Sequence, residues 1–269
     1  MKMNAEKTVK ELKNGTMTTF VFGDIEVKSY NTKDAIDDQV IMLVKNKKAV
    51  VIELPCFKNS IDELTQYLKD EKIEAVGKLV SYHAAGKTFL PEVKSYLTES
   101  AEKYNTVGGG AGLIGNFSGI FGDSFDASTV NSGERITGGK LTIAGIEMEI
   151  IPDADAYEVA VPAIKTVYMH MLGHDCHSIV AGPAHADAII ANLKGYLDRG
   201  YELFLSAHYV PETAEDVRTK IAYIEDLKQI ASGCSSAQEF TDRVNAKYPK
   251  YTGANYLGMT AGFFFPAKQ

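Results

Sequence analysis

Residues 39–73, QVIMLVKNKKAVVIELPCFKNSIDELTQYLKDEKI, decide the fold class. Two apolar runs, Val40–Val44 and Ala49–Ile52, flank the polar turn Lys45-Asn46-Lys47-Lys48, which is the pattern of a strand hairpin. Asn59-Ser60 then offers a helix N-cap, and Ile61, Leu64, Tyr67 and Leu68 recur at the helical period. A hairpin followed at once by an amphipathic helix is an α/β beginning.

Upstream, TMTTFVFGDI and EVKSYNT read as extended segments. Downstream, GKLVSY is a short buried strand running into HAAGKT, and LPEVKSYLTESAEKY reads as a second helix with Pro91 in its first turn. The glycine-rich stretch from Val107 to Gly122 is expected to be a flexible loop over the site. ERITGGKLTIAGIEMEIIPDA and YEVAVPAIKTVYM alternate in the strand manner with glycine turns between them. HADAIIANLKGYLDRG is helical and ends at Gly200, YELFLSAH is a buried strand, and TAEDVRTKIAYIEDLKQIAS and SAQEFTDRVNAKY are amphipathic helices. This order suggests a layered αββα arrangement rather than a regular βαβ repeat. No low-complexity linker or fixed-period repeat divides the chain, so 1–269 is expected to be one domain, with 212–269 as a helical extension packed on it.

With 45% hydrophobic and 23% charged residues, the chain falls in the globular range and outside the disordered and fibrous classes. Its 28 basic against 35 acidic residues give a net charge of −7, which disfavours nucleic acid or an anionic membrane as partner and leaves a small molecule. The start, MKMNAEKTVKELKNG, is charged and lacks the apolar core of a signal peptide, and no stretch reaches membrane-span length, so the expected location is cytoplasmic. Cys56, Cys176 and Cys234 are odd in number and far apart, which points to reduced thiols. Cys56, following Leu54-Pro55, reads as a small core residue.

Four segments, in this order, resemble the metallo-β-lactamase superfamily. VKNKKAVVIELPCFKNSIDELTQYLKDEKI is similar to its opening hairpin, loop and helix, with Glu53 where that family usually has Asp. SYHAAGKTFLPEV falls where the family carries its His-x-His-x-Asp-His metal loop. IAGIEMEIIPDADAYEVAVPAIKTVYM resembles the strands leading to its third His and bridging Asp, and LFLSAHYVP the late strand ending in Gly-His. The resemblance implies an α/β fold, the four-layer αββα sandwich, with the loops after Leu54, Ser81, Ile151, Met169 and Ala207 meeting at one edge.

Laid on the metal loop, Tyr82 stands for the first His, Ala84 for the second, Gly86 for the Asp and Lys87 for the last His. A shift of one residue would place His83 at the first position instead. The third His position falls near Pro152 or Asp153 and the bridging Asp near His170, so only His208 is kept. A zinc pair needs several nitrogen and oxygen donors, and bound metal is what brings a water's pKa toward neutrality. The departures therefore imply no binuclear zinc site, and restoring His at 82, 84 and 87 with Asp at 86 should raise zinc affinity if this register holds.

A single divalent metal has another source of ligands in YMHMLGHDCHSIV, where His170, His174 and His177 stand at i, i+4 and i+7. On a helix they would share a face, and His170, His174 and His208, with Asp153 or Asp175, could hold one ion. The alternative is a pocket-lining turn, and Gly173 argues against a regular helix. The candidate catalytic residues are His170, His208, Lys87 and Tyr82, Tyr82 as a phenolate and Lys87 as anion hook or nucleophile or, equally, a surface lysine at a helix start. Gly110-Ala111-Gly112-Leu113-Ile114-Gly115 fits Gly-x-Gly-x-x-Gly but does not follow a first strand, and Gly86-Lys87-Thr88 lacks the P-loop's upstream glycine because Ser81 stands there. Two functions fit: a hydrolase-like protein acting on a small molecule through an altered or mononuclear centre, and a catalytically inactive small-molecule binding or sensing protein.

Overall fold

A computed structural model of the chain describes residues 5–171 and 173–266. The chain divides into two units, Met1–His170 with Leu205–Pro211, and Met171–Phe204 with Glu212–Gln269.

The first unit opens with five antiparallel strands, β1 (Glu6–Glu11), β2 (Thr16–Phe22), β3 (Ile25–Asn31), β4 (Gln39–Lys45) and β5 (Lys48–Ile52). The expected hairpin is β4–β5, and its turn residues Asn46 and Lys47 both have positive φ, the geometry that matches strand twist. β4 is buried from Gln39 to Val44, which is why its sequence is a continuous apolar run rather than an alternation. Helix α1 (Lys58–Asp70) buries the expected Ile61, Leu64, Tyr67 and Leu68. It starts slightly earlier than the sequence suggests, with Phe57 at the N-cap and no side-chain cap.

Beyond α1, β6 (Glu74–Leu79) lies parallel to β5, and β7 (Ser95–Leu97) and β8 (Glu134–Arg135) continue the sheet in parallel. Between β7 and β8 lie α2 (Glu99–Thr106) and α3 (Gly109–Phe121). The single helix expected over LPEVKSYLTESAEKY is thus a short strand and a helix. Thr98 makes the break, its Oγ1 accepting from the Ala101 N–H at 3.1 Å to cap α2. The glycine-rich stretch is a helix, not a loop. Ile114, Phe117 and Phe121 fall on one face of α3 and pack on Cys56, Phe57, Ala85 and Phe125, and this burial offsets the entropy of fixing so many glycines.

The second sheet of this unit is an antiparallel meander of β9 (Gly139–Ile143), β10 (Ile146–Pro152), β11 (Tyr157–Val161) and β12 (Thr166–Met169). It faces the first sheet, with the Tyr157 hydroxyl donating to the Tyr96 carbonyl at 3.1 Å.

In the second unit are α4 (Pro183–Asp198), the first half of β13 (Leu203–Ser206), β14 (Glu212–Thr213), α5 (Ala214–Ser232), α6 (Ala237–Lys247) and α7 (Ala254–Phe264). Thr213 and Asp216 close a capping box at the start of α5. The expected apolar stripe Tyr223, Ile224 and Leu227 is buried, and Tyr223 packs with Tyr248, Tyr251 and His177. Among the described residues, no helix is long and apolar enough to cross a membrane.

Candidate metal centre

Glu53 leaves β5 at φ 62°, and its carboxylate turns inward to full burial. One oxygen accepts from the Tyr82 N–H at 2.8 Å and the Tyr168 hydroxyl at 2.6 Å. The other accepts from the N–H groups of Ser81 at 3.3 Å and His83 at 2.8 Å. Ser81 in turn donates its hydroxyl to the Tyr157 carbonyl at 2.7 Å, and Asn105 donates to the Ser81 carbonyl at 2.9 Å. The loop after β6 is therefore fixed from three sides. Burial, and then the Glu53 charge, holds the Tyr168 phenol well above its usual pKa, so it remains a donor.

This loop aims His83 at two other histidines. His83 Nε2 is 3.1 Å from His208 Nε2, and His170 Nε2 is 3.0 Å from the same atom. All three nitrogens lie within 4.8 Å of one another. His170 follows β12 and His208 follows β13. Tyr82 stacks on the His170 ring at 4.1 Å and 17°, and its hydroxyl donates to Asp153 Oδ2 at 2.8 Å. Desolvation of the His170 ring, then the nearby His208 and His83, hold its imidazole well below the ordinary pKa, although the residue keeps an exposed outer edge. Behind the histidines lies Asp38, 1% exposed, with Oδ1 3.2 Å from His208 Nδ1 and 3.7 Å from His83 Nδ1.

These residues fit one metal ion. A nitrogen carries either a proton or a lone pair in the ring plane, so His208 Nε2 cannot make two good hydrogen bonds to two other imidazole nitrogens at once. A cation placed among them would accept all three lone pairs. Two nitrogens on a tetrahedral zinc ion stand about 3.3 Å apart, close to the 3.1 and 3.0 Å that separate His208 from the other two.

The loops after Ser81, Met169 and Ala207 meet through His83, His170 and His208, the loop after Ile151 joins them through Asp153 and Tyr82, and the loop after Leu54 reaches them through Cys56 and Asp38. Of the candidates from sequence, His170 and His208 come together, and Tyr82 stands beside them as a packing partner. Burial, and then Asp153, push the Tyr82 phenol upward, and its hydroxyl is turned to Asp153. Lys87 is exposed on a turn whose backbone N–H donates to the Ser128 carbonyl at 3.1 Å. His174 is engaged in the second unit, its Nδ1 2.8 Å from Glu212 Oε1 and its Nε2 3.8 Å from Asp216 Oδ1. His177 is buried with Nδ1 2.9 Å from the Tyr223 hydroxyl. The shared helical face of His170, His174 and His177 does not form, because the described residues between β12 and α4 are irregular.

His83, the third histidine of the cluster, stands at the family's first ligand position only in the register shifted by one residue. Of the four restoring substitutions, the one at Gly86 meets a steric obstacle. Gly86 has φ +87°, and a Cβ there would stand 2.0 Å from the Pro55 carbonyl oxygen, so the family's Asp has no room. The sequence marks Asp38 only as an acidic residue directly before a strand buried from Gln39 to Val44.

No family model matches the chain, and no curated protein does. Solved structures do. The stereoselective inverting sec-alkylsulfatase from Pseudomonas sp. is similar at 16% identity and TM-score 0.61, over 92% of this chain and 49% of that one. A metallo-β-lactamase family protein from Thermus thermophilus is similar at 10% identity and TM-score 0.62, over 90% and 92%. A metallo-β-lactamase from Erythrobacter litoralis, with β-mercaptoethanol in its active site, is similar at 10% identity and TM-score 0.58, over 81% and 100%. The chain spans about half the length of the sulfatase. It has the metallo-β-lactamase fold, α/β with two sheets and helices. Hydrolases are among the proteins that share this fold with it.

Proposed function

We propose that this chain is a metal-dependent, hydrolase-like protein that acts on a small molecule through a single divalent ion held by His83, His170 and His208. The observation that carries the proposal is the convergence of three imidazole Nε2 atoms, two pairs of them 3.0 and 3.1 Å apart. Three histidines suit zinc and leave a coordination position for water or substrate. Bound there, the ion would supply Lewis acidity and a lowered pKa for a coordinated water.

The chain's own residues orient the donors. Glu53 holds the backbone from which His83 projects, and the Tyr82 ring, tethered through Asp153, fixes the plane of His170. His170 and His208 keep the catalytic role expected of them, whereas the exposed position of Lys87 supports reading it as a surface lysine. The absence of side-chain donors at Ala84 and Gly86 supports one ion rather than two. It also favours the second reading, a protein that binds or senses a small molecule without turning it over.

The net charge of −7 supports a small molecule rather than nucleic acid. The three free cysteines support a cytoplasmic location. In this proposal residues 212–269 serve as a helical extension of one functional domain.

The test is a panel of alkyl sulfate esters, lactams and thioesters, assayed with metal-stripped protein before and after one equivalent of zinc. Turnover that appears with zinc and is lost in His208→Ala supports the hydrolase. Saturable binding of panel members without turnover, lost in the same variant, supports the second reading. Turnover that ignores both zinc and His208→Ala refutes the proposal.

A further inference from the structure

We infer that Asp38 is the positioning residue of this centre, one buried carboxylate oxygen that sets the rings of both His83 and His208. The inference rests on the three-histidine reading above. Asp38 Oδ1 faces the Nδ1 of His208 at 3.2 Å and of His83 at 3.7 Å, and both rings direct their other nitrogen, Nε2, to the common point.

Both Asp38 Oδ1 and His83 Nδ1 are buried and lack an aligned hydrogen-bond partner among the described residues. Among the described residues the other carboxylate oxygen accepts only from the Cys56 thiol, with Sγ at 3.6 Å, a weak donor for a group removed from water. Among the described residues no lysine or arginine pairs with Asp38, and the nitrogens of its ion pairs are those of the two imidazoles.

A buried acidic side chain with so few donors calls for a polar partner, and the two imidazoles are the groups it faces. An acidic group behind an imidazole holds the proton on Nδ1 and leaves the Nε2 lone pair free to ligate, and it makes that lone pair more basic. Here one carboxylate serves two rings.

The backbone shows that the placement is built in. The Asp38 carbonyl accepts from both the N–H and the hydroxyl of Thr32 at 3.0 Å. The next residue, Gln39, donates its N–H to the Ala207 carbonyl at 2.8 Å, so the residue after Asp38 is bonded to the residue before His208. Asp38 and His208 are thereby held in register independently of any contact between their side chains. The Cys56 thiol braces the carboxylate from behind, and burial followed by the Asp38 charge raises its pKa so that it stays a protonated donor.

Two measurements on the full chain test this. In metal-free protein, long-range 1H–15N spectra should show His83 and His208 protonated at Nδ1, and Asp38→Asn should redistribute both rings between tautomers while the fold persists. Nε2-protonated rings in the native protein would overturn the inference whether or not metal binds.

In cobalt titrations against a competing chelator, Asp38→Asn should weaken affinity about 10- to 100-fold, and Asp38→Glu should restore part of the tautomer preference. Unchanged cobalt affinity in Asp38→Asn, with His208→Ala abolishing binding, would also overturn it. Failure of the native protein to bind cobalt refutes the three-histidine reading, and the spectra then decide the role of Asp38 alone.

Discussion

Replacing Glu53 with glutamine tests how the site is held. The native carboxylate receives three backbone N–H groups and the Tyr168 hydroxyl, two donors on each oxygen. In Glu53→Gln the better orientation keeps the amide oxygen toward Ser81 and His83 and turns the amide NH2 toward Tyr168, whose hydroxyl can rotate to accept. The Tyr82 N–H then faces another donor and is left unpaired, at about 1–3 kcal/mol. The two remaining N–H bonds lose their charge assistance, at about 1 kcal/mol each. Together these come to about 3–5 kcal/mol, an upper figure because a neutral amide is also less costly to bury. That is a large part of an ordinary domain's stability of about 5–15 kcal/mol. Guanidinium unfolding followed by far-UV circular dichroism should show the lower midpoint at an unchanged slope. Cobalt affinity should fall as well, because His83 projects from the released loop. A variant within about 0.5 kcal/mol of the native protein, binding cobalt equally well, would refute the reasoning.

Gly86→Asp should destabilise the chain by at least about 3 kcal/mol and bind no additional zinc, since φ +87° and the Pro55 carbonyl leave no room for a Cβ; a stable variant with raised zinc affinity would reinstate the family's loop register. His174→Ala should leave metal affinity unchanged while His83→Ala lowers it steeply, and isothermal titration with zinc shows the difference. Lys220, 3% exposed, donates to the Gly173 carbonyl at 2.7 Å, and burial lowers its pKa from 10.5 to about 8. Between those values the unfolded chain retains a proton that the folded chain has released, so stability should rise with pH from about 8 to 10.5, by about 3 kcal/mol in all. Denaturant midpoints across that window should show the rise in the native protein and not in Lys220→Met.

What the sequence made legible followed from local periodicity. The β4–β5 hairpin, the α1 stripe and the α5 stripe each carry their pattern within a few turns or strand residues, and the structure contains all of them. The glycine-rich stretch misled because composition argues for a loop, while the burial of Ile114, Phe117 and Phe121 against residues distant in sequence decides for a helix. The centre was half visible. His170 and His208 directly follow strands whose register can be read, but His174 shares a face with His170 only on a helix, and the described residues between β12 and α4 are irregular. His83 required knowing which way a loop turns, and that is set by Glu53, thirty residues away. Asp38 lies before β4 and has no motif, because its importance comes from two histidines that meet it only in the folded chain.

The central claim is one ion on three histidines. Metal content of the full chain, measured by mass spectrometry after dialysis against a small excess of zinc and removal of the free ion, tests it most directly. The native protein should hold one zinc per chain, reduced to background by His83→Ala, His170→Ala or His208→Ala in proteins that remain folded. Two zinc ions per chain, none at all, or one that survives all three substitutions would contradict it.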